Sequence, residues 1–310
     1  MNASEQPLIA VFGSVNIDVT ALCDRLPRPG ETVRGRAYSM SLGGKGANQA
    51  VAVARLGARS VLIGRTGTDD FGRLARDRLA ALGVGLDHLR SSPDLASGVA
   101  VISVDAQAQN CIVVIGGANL AVDTTLAQQA AQPLQAARVL LLQLEVPLPA
   151  ALAAAGLTRA AGGLVILDPA PAPAGGLPDE ALHGVDVITP NETETEAIVG
   201  VRPNGATEAA LAAARLIARG VPTAIIKMGA AGVYFRGPDS EGFVAPFPVR
   251  AVNSVGAGDC FNGGLAVALA RGASMAVAVR FAAACGALAT TGPGGAASAP
   301  TLAAVEALLR

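Results

Sequence analysis

Histidine and cysteine are scarce in this sequence, which limits the metal-binding and catalytic chemistry that it can support. The only such residues are His88, His183, Cys23, Cys111, Cys260 and Cys285. Two histidines are too few for a histidine-rich metal centre, and no G-x-S-x-G motif supports a Ser-His-Asp triad. No cysteines form a C-x-x-C pair, and the N-terminal M-N-A-S-E-Q-P lacks the basic and apolar regions of a signal peptide. We therefore expect a cytoplasmic, metal-poor protein with reduced, buried thiols instead of disulfides or a zinc site.

Charge is also low: 15% of the residues are charged and the formal net charge is −1. Without a basic surface field, we expect binding neither to nucleic acid nor to an anionic membrane. The stretch 281–305 carries no charge, but its T-T-G-P-G-G centre would leave backbone groups unsatisfied in lipid. The apolar part before that centre is far shorter than the ~20 residues of a membrane span. A buried helix followed by a loop is predicted.

Apolar strands alternate with helical patterns along most of the chain. Strands are predicted at 8–19, 59–64, 138–144, 164–168, 185–188 and 223–227, and helices at 46–56, 70–83, 148–161, 192–199 and 207–219. Such alternation is typical of a parallel sheet with helices on both faces. Nearer the C-terminus, a strand pair is predicted within 224–250 and alanine-rich helices at 258–270 and 274–289.

Two segments depart from this alternation. Residues 31–42 have a mixed, short-period pattern, and residues 98–115 form two apolar runs around D-A-Q-A-Q-N, which predicts a hairpin. We expect both segments to form a small sheet attached to the main body. The length of the chain suits one large α/β domain or two small ones, and no linker divides it, so a single domain over 1–310 is predicted.

Polar side chains follow the predicted strands, where ligands bind in open α/β sheets. They are Asn16, Asp18, Glu145, Asp168 and Asn191. Asn16 and Asp18 alternate on a strand, so both side chains lie on one face, where they suit sugar hydroxyls or cap a turn. The position of all five residues predicts a binding site at one edge of the sheet.

The stretch S-L-G-G-K-G-A-N-Q-A, residues 41–50, places glycines before a helix. Glycine allows a ligand to approach the backbone, and Asn48 can hydrogen-bond a neutral polyol. The spacing is not that of a phosphate-binding P-loop, because Lys45 is followed by Gly46. An ordinary strand-to-helix turn with a solvated lysine is the alternative.

A second glycine turn, N-S-V-G-A-G-D-C-F-N-G-G, spans residues 253–264. Gly256, Ala257 and Gly258 leave backbone N–H groups open at a helix N-terminus, which favours an anion. Asp259 either stabilises the helix start or acts as a general base. Phosphoryl transfer needs both features together, a base for the attacking hydroxyl and amides for the charge that develops.

Two further stretches fit a nucleotide site. In N-E-T-E, Asn191 can cap a helix, or Asn191 and Glu194 can help to place Mg²⁺ and its waters. K-M-G-A-A-G, residues 227–232, is either a turn between strands or backbone that passes under a phosphate or ribose. The residues alone leave these alternatives open.

The chain resembles the PfkB family of carbohydrate kinases from about residue 8 to residue 300. The resemblance rests on seven motifs in order: G-S-V-N-I-D, P-R-P-G-E-T-V, G-G-K-G-A-N-Q-A, Q-L-E-V-P-L, D-P-A-P-A, T-P-N-E-T-E and G-A-G-D-C-F-N-G. It implies a three-layer αβα sandwich with a Rossmann-like sheet and a small β-sheet lid, formed by 31–42 and 98–115 and often shared across a homodimer. It also implies Mg²⁺-dependent transfer of the γ-phosphate of ATP to the 5-hydroxyl of D-ribose.

The resemblance assigns roles to individual residues. The sugar ligands are Asn16, Asp18, Gly43, Gly44, Asn48, Glu145 and Asp259. Asp259 is the base, and Gly256, Ala257 and Gly258 form the anion hole. Asn191, Gly229 and Gly232 fall at ATP contacts, to which the nucleotide-site stretches add Glu194 and Lys227.

The chain departs from the family pattern at two positions. A potassium loop would comprise Asn253, Val255, Ala289, Gly292, Gly294 and Ser298. Asn253 replaces an acid there, so we expect weak potassium activation. Lys227 replaces a frequent threonine and either reaches a phosphate or marks another sugar specificity.

Other functions remain open at this point. G-G-K-G-A-N-Q-A and D-P-A-P-A favour ribose, while 2-deoxyribose, 2-keto-3-deoxygluconate, fructose or a nucleoside are alternatives within the class. An acidic sugar needs an extra cation, for which Arg34, Arg36 and Lys45 are the candidates. A non-catalytic sugar-binding protein is the rival from another class, but it would be expected to have lost the base or the glycine turn.

Overall fold

The structure, a computed structural model, describes residues 6–310 and contains two β-sheets. Most of the N-terminal stretch used to predict the absence of an export signal lies outside the described residues. None of the helices in the described part of the chain combines the length and hydropathy that a bilayer span requires.

The larger sheet has nine strands. They are β1 (Leu8–Phe12), β4 (Arg59–Gly67), β5 (Leu89–Ser92), β8 (Val139–Leu142), β9 (Leu164–Leu167), β10 (Val187–Ile188), β11 (Thr223–Lys227), β12 (Val233–Arg236) and β13 (Glu241–Val244). Their order is β13-β12-β11-β10-β9-β8-β1-β4-β5. The strands from β11 to β5 pair in parallel, and β12 and β13 add an antiparallel edge.

Helices cover both faces of this sheet. One face carries α1 (Lys45–Arg55), α2 (Asp70–Ala81), α9 (Ala257–Ala270), α10 (Met275–Ala289) and α11 (Leu302–Leu309). The other carries α3 (Thr124–Gln129), α4 (Ala131–Ala136), α5 (Leu148–Ala160), α6 (Asp179–His183), α7 (Glu192–Val199) and α8 (Ala206–Ala218). The predicted αβα sandwich is therefore confirmed.

The alternation of β1 shows why the inner strands β1, β8 and β9 carry only apolar residues. Ile9 and Val11 pack into the core of one face, and Ala10 and Phe12 pack into the core of the other. Successive side chains of a strand point to opposite faces, so a strand covered on both sides carries no polar positions.

The smaller sheet, called the small sheet below, has the order β3-β2-β6-β7. Its strands are β2 (Asn16–Cys23), β3 (Gly35–Gly43), β6 (Gly98–Val104) and β7 (Asn110–Ile115). The predicted hairpin at 98–115 is confirmed as the antiparallel pair β6 and β7, and most of 31–42 lies in β3.

The prediction of one strand over 8–19 is wrong, because the run contains β1 and β2, which belong to different sheets. The chain leaves the large sheet between Gly13 and Val15. Asn119 holds this junction: its Oδ1 accepts from Val15 N at 2.9 Å, and its Nδ2 donates to Val15 O at 3.1 Å. Asn16 and Asp18 therefore lie in the small sheet and do not end a strand of the large one.

Several short elements were not predicted from the sequence. These are the strand β5 and the helices α3, α4, α6 and α11. A strand pair was predicted within 224–250, but the bounds of its strands were not. The prediction for 281–305 is confirmed, because α10 ends at Ala289 and a loop follows.

Close contact between α1 and the β1–β2 junction requires glycine at position 46. A Cβ built on Gly46 would lie 2.5 Å from Ser14 N, whereas Gly156 of α5 has open space around its Cβ position. We predict that Gly46→Ala lowers the free energy of unfolding by about 1–3 kcal/mol through overpacking.

The matched variant Gly156→Ala should raise the free energy of unfolding by about 0.5–1 kcal/mol, because alanine favours an exposed helix interior. Urea denaturation of both variants measures the difference. Equal effects of the two substitutions would contradict the close packing at Gly46.

Candidate active site

Polar side chains gather where the parallel strands of the large sheet end. Ser14 follows β1, Glu145 follows β8, Asp168 follows β9 and Asn191 follows β10. Lys227 ends β11. Since these strands are parallel neighbours, their ends share one edge, as the sequence pattern predicted.

Asp259 lies in the first turn of α9, directly above this edge. The helix begins after Gly256, whose φ of 84° is in the left-handed region that favours glycine. The Asp259 side chain is buried, with 5% of the residue exposed. It accepts hydrogen bonds from Asn48 Nδ2 at 2.9 Å and from Gln49 Nε2 at 3.2 Å. The structure thus joins the two glycine motifs, which lie more than 200 residues apart in the sequence.

The environment of Asp259 makes its carboxylate more basic. Burial raises its pKa to about 6, with a further increase from the negative charge of Asp168, while Lys45, Asn48 and Gln49 act in the opposite direction. Holding the group ionised at neutral pH costs the fold on the order of 3 kcal/mol. A carboxylate with this pKa is ionised at pH 7 and still able to accept a proton.

The small sheet brings Asn16 and Asp18 to the same edge. Asn16 is paired with Gly43 across β2 and β3. A Cβ built on Gly43 would lie on the Asp18 carboxylate, so only glycine leaves that side chain its position. Burial and the nearby charge of Glu145 raise the pKa of Asp18 to about 6.

Glu145 fixes the start of α1. One of its oxygens accepts from Ser14 Oγ at 2.5 Å and from the backbone N–H of Lys45 at 2.9 Å. Gly44 precedes the helix with φ of 85°, and a Cβ there would come within 2.8 Å of Asn16 N. The chain can therefore turn into α1 close to the small sheet only with glycine at this position.

A second group of side chains connects Asp259 to the end of β11. Asp168, with 3% of its side chain exposed, accepts from Lys227 Nζ at 3.0 Å and from Gln49 Nε2 at 3.1 Å. Gln49 in turn accepts from Gln143 Nε2 at 2.6 Å. These contacts form one buried polar network on the floor of the site.

Asn191 and Glu194 form a complete capping box at the start of α7. Asn191 Oδ1 accepts from Glu194 N at 2.9 Å, and the Glu194 carboxylate accepts from Asn191 N at 2.8 Å. Burial raises the pKa of Glu194, an effect that the charge of Lys227 opposes. The structural alternative for N-E-T-E is thus realised, and it places a buried carboxylate near Lys227.

Gly229 and Gly232 bracket the turn between β11 and β12, both with positive φ. A Cβ built on Gly229 would lie 3.6 Å from Glu192 Oε1, so the turn passes beside the start of α7. The N-E-T-E and K-M-G-A-A-G stretches are therefore neighbours in space.

The six residues of the predicted potassium loop occupy two adjacent segments. Asn253 Nδ2 donates to Pro293 O at 2.7 Å, and Asn253 Oδ1 accepts from Val255 N at 2.9 Å. Gly295 N donates to Val255 O, and Gly294 N donates to Ser298 Oγ at 2.6 Å. Ala289 and Gly292 are linked by the bond from Gly292 N to Ala289 O. The Asn253 amide thus joins the two segments directly.

Histidine, cysteine and carboxylate side chains form no metal-binding group of three or more within residues 6–310. The four cysteines are unpaired thiols in the described structure, with Cys111 exposed and the other three buried. The prediction of buried thiols holds for Cys23, Cys260 and Cys285 and is wrong for Cys111, which lies on the exposed strand β7.

Four residues of the site were not among the predicted site residues. They are Ser14, Gln49, Asn119 and Gln143. Ser14 and Gln143 lie inside the predicted strands 8–19 and 138–144, and the spacing of the glycine motif does not single out Gln49, so these three residues are recognised only from their contacts with remote segments. Asn119 lies in the short 3-10 helix Gly117–Ala121, and no sequence pattern marks it.

The arrangement defines a class of protein. A buried carboxylate with raised pKa at the N-terminus of a glycine-opened helix, over the edge of a parallel sheet and beside further polar acceptors, is the arrangement that phosphoryl transfer to an alcohol requires. A family profile described as "pfkB family carbohydrate kinase" matches residues 6–302. The chain belongs to the PfkB family of carbohydrate kinases, which confirms the resemblance and places it among phosphotransferases with an alcohol group as acceptor.

Individual relatives agree with this assignment. Ribokinase from Haemophilus influenzae is 37% identical over 293 residues, covering 94% of this chain and 95% of the relative. Deoxyribokinase from Salmonella typhimurium is 33% identical over 294 residues, covering 95% and 96%. The structure of Arabidopsis thaliana ribokinase complexed with ribose and ATP is similar with a TM-score of 0.92 and 32% identity, covering 98% of this chain and 99% of that one.

Proposed function

We propose that the protein is an ATP-dependent kinase that transfers the γ-phosphate to the 5-hydroxyl of D-ribose, giving ribose 5-phosphate. The observation that carries this proposal is Asp259, a buried carboxylate with raised pKa at the start of α9, bound by Asn48 and Gln49 of α1. The similarity to ribokinases over nearly the whole chain supports ribose as the acceptor.

The sugar would bind between the small sheet and the start of α1. Its ligands would be Asn16, Asp18, Gly43, Gly44, Asn48 and Glu145. The Oδ1 of Asn48 is buried and has no hydrogen-bond partner among residues 6–310, so it is free to accept from a hydroxyl. Buried acceptors of this kind recognise hydroxyl donors, because leaving them unpaired is costly.

Asp259 would take the proton of the attacking hydroxyl. The backbone N–H groups of Gly256 and Gly258 lie at the positive end of α9, where negative charge on the transferring phosphoryl group is stabilised. The N–H of Ala257 donates to Ser254 O at 3.2 Å, so it would have to exchange that bond to join them. The acid and these amides belong to one turn, so the fold sets the distance between the proton acceptor and the anion site.

The nucleotide would lie along the ends of β10 and β11. Asn191, Glu194, Lys227, Gly229 and Gly232 are its proposed contacts. The buried Glu194 carboxylate accepts from Asn191 through both oxygens and keeps its negative charge and further lone pairs, so it would hold a magnesium ion through water, with phosphate oxygens as the direct ligands. When bound, that ion would neutralise phosphate charge.

The residues of the potassium loop do not fit a strongly bound ion. Asn253 supplies no negative charge, its amide N–H groups point to Pro293 O, and its oxygen already accepts from Val255 N. We propose that potassium activates this protein weakly or not at all.

We also propose that the chain is one domain, that the small sheet acts as a lid excluding water from the site, and that two copies associate through it in the cytoplasm. Exposed apolar residues on β7, Ile112, Val113, Val114 and Ile115, support the association. Sedimentation of the full chain tests it, and a monomer at micromolar concentration would contradict it.

2-Deoxyribose is the second candidate acceptor, because a deoxyribokinase is as similar as several ribokinases. The proposal is tested by ADP release with Mg·ATP and a panel of D-ribose, 2-deoxyribose, fructose, 2-keto-3-deoxygluconate and adenosine. We expect the highest kcat/KM with ribose and rates within about twofold in potassium and sodium buffers. Preference for another sugar would change the proposed acceptor and keep the proposed reaction. No turnover with any compound of the panel would contradict the kinase activity.

A second prediction concerns the base. Asp259→Asn keeps the size of the side chain but removes its proton affinity, so phosphoryl transfer should fall by several orders of magnitude while the protein remains folded. Single-turnover kinetics with the preferred sugar measure the loss, and circular dichroism controls for folding. Near-normal turnover in the folded variant would remove Asp259 from this role.

A further inference from the structure

Lysine is almost absent from this chain, and both lysines lie in the site. Of the 23 lysine and arginine residues, 21 are arginines, and the two lysines are Lys45 and Lys227. Arginine is a planar fork that binds two oxygens at once, whereas the lysine ammonium is a compact charge on a flexible stem. This chain has arginine at every other basic position, and it has lysine only at two positions where a compact cation lies among buried polar groups.

Lys227 is held in one position by Asp168. The Nζ atom donates to Asp168 Oδ1 at 3.0 Å, and the two side chains are only 12% and 3% exposed. The other oxygen of Asp168 accepts from Gln49, which also donates to Asp259. Asp168 therefore links Lys227 to the residue that positions the proposed base.

The ammonium lies beside the start of α9. Its Nζ is 3.5 Å from the point where a Cβ on Gly258 would stand, and that position is open because the residue is glycine. An anion bound to the first-turn amides of α9 would therefore meet the Lys227 ammonium at the same time. A buried ion pair adds little to stability after desolvation, so a stabilising role explains this pair poorly.

We propose that Lys227 is a catalytic residue that contacts the oxygens of the transferring phosphoryl group, and that Asp168 is a positioning residue that holds it there. This rests on the proposed kinase function. The positive charge of Lys227 stabilises the phosphoryl oxygens from the side of β11. The backbone N–H groups of α9 stabilise them from the side of the helix.

The first test uses Lys227→Met, which keeps most of the apolar stem and removes the charge. Calorimetry of the full chain without sugar compares Mg·ADP with Mg·AMP-PNP, a non-hydrolysable analogue that carries the third phosphate. We expect the Kd for ADP to change by less than about threefold and the Kd for AMP-PNP to rise at least about tenfold. Equal changes in Kd for both nucleotides, or no change in either Kd, would contradict a contact between Lys227 and the third phosphate.

Kinetics at pH 8, where Asp259 is ionised, provide the second readout. We expect kcat of Lys227→Met to fall about 10²–10³-fold, the usual cost of one lost charge-stabilising group, with the KM for the sugar nearly unchanged. A rise in that KM with constant kcat would place Lys227 in sugar binding. If Lys227→Met fails to fold in thermal unfolding, Lys227→Gln takes its place with the same criteria.

Asp168→Asn tests the positioning role. Alone it should lower kcat about tenfold, because the ammonium is no longer held, whereas in the Lys227→Met background it should cost less than about twofold. An equal loss in both backgrounds would mean that Asp168 acts without Lys227. Since nucleotide binding is measured without sugar, a wrong acceptor sugar does not affect the first test. If the wild-type chain binds neither nucleotide, both the role of Lys227 and the proposed ATP-dependent kinase function are wrong.

Discussion

The site depends on one interaction, the pair of hydrogen bonds by which α1 holds the carboxylate of Asp259. Asn48 and Gln49 each donate to one of its oxygens, so the acid fixes the starts of α1 and α9 relative to each other. Glu145 in turn binds the first N–H of α1, which ties this helix to the end of β8. The position of the Asp259 carboxylate, the proposed base, is therefore set by two helices and the sheet together, and no single loop determines it.

The same burial that positions Asp259 also sets its chemistry. Removal from water raises its pKa, and Asp168 raises it further, while Lys45 and the amide donors keep the charged form accessible. Complete burial without these donors would leave a protonated acid that cannot accept a proton, and full exposure would leave a weaker base. The fold gives up stability at this residue, which is common where a group must remain reactive.

Much of the fold could be predicted, because strands buried on both faces are apolar throughout and helices end at glycine. The run 8–19 was predicted as a single strand because composition does not show which sheet a strand joins, and the change of sheet depends on contacts with the distant Asn119. Asp259, Asn48 and Glu145 were identifiable because they follow glycine turns or strands. Gln49, Gln143 and the pairing of Lys227 with Asp168 emerge only when remote segments meet, which local patterns do not encode.

The proposed reaction depends on a buried carboxylate with raised pKa that takes the proton of the sugar hydroxyl. It is tested most directly by the pH dependence of kcat/KM for the preferred sugar at saturating Mg·ATP, which reports the ionisations of the enzyme before that sugar binds. We expect a plateau above pH 7 and a fall below about pH 6, as Asp259, together with Asp18, becomes protonated. A value of kcat/KM that stays constant down to pH 4.5 in the folded protein would contradict it.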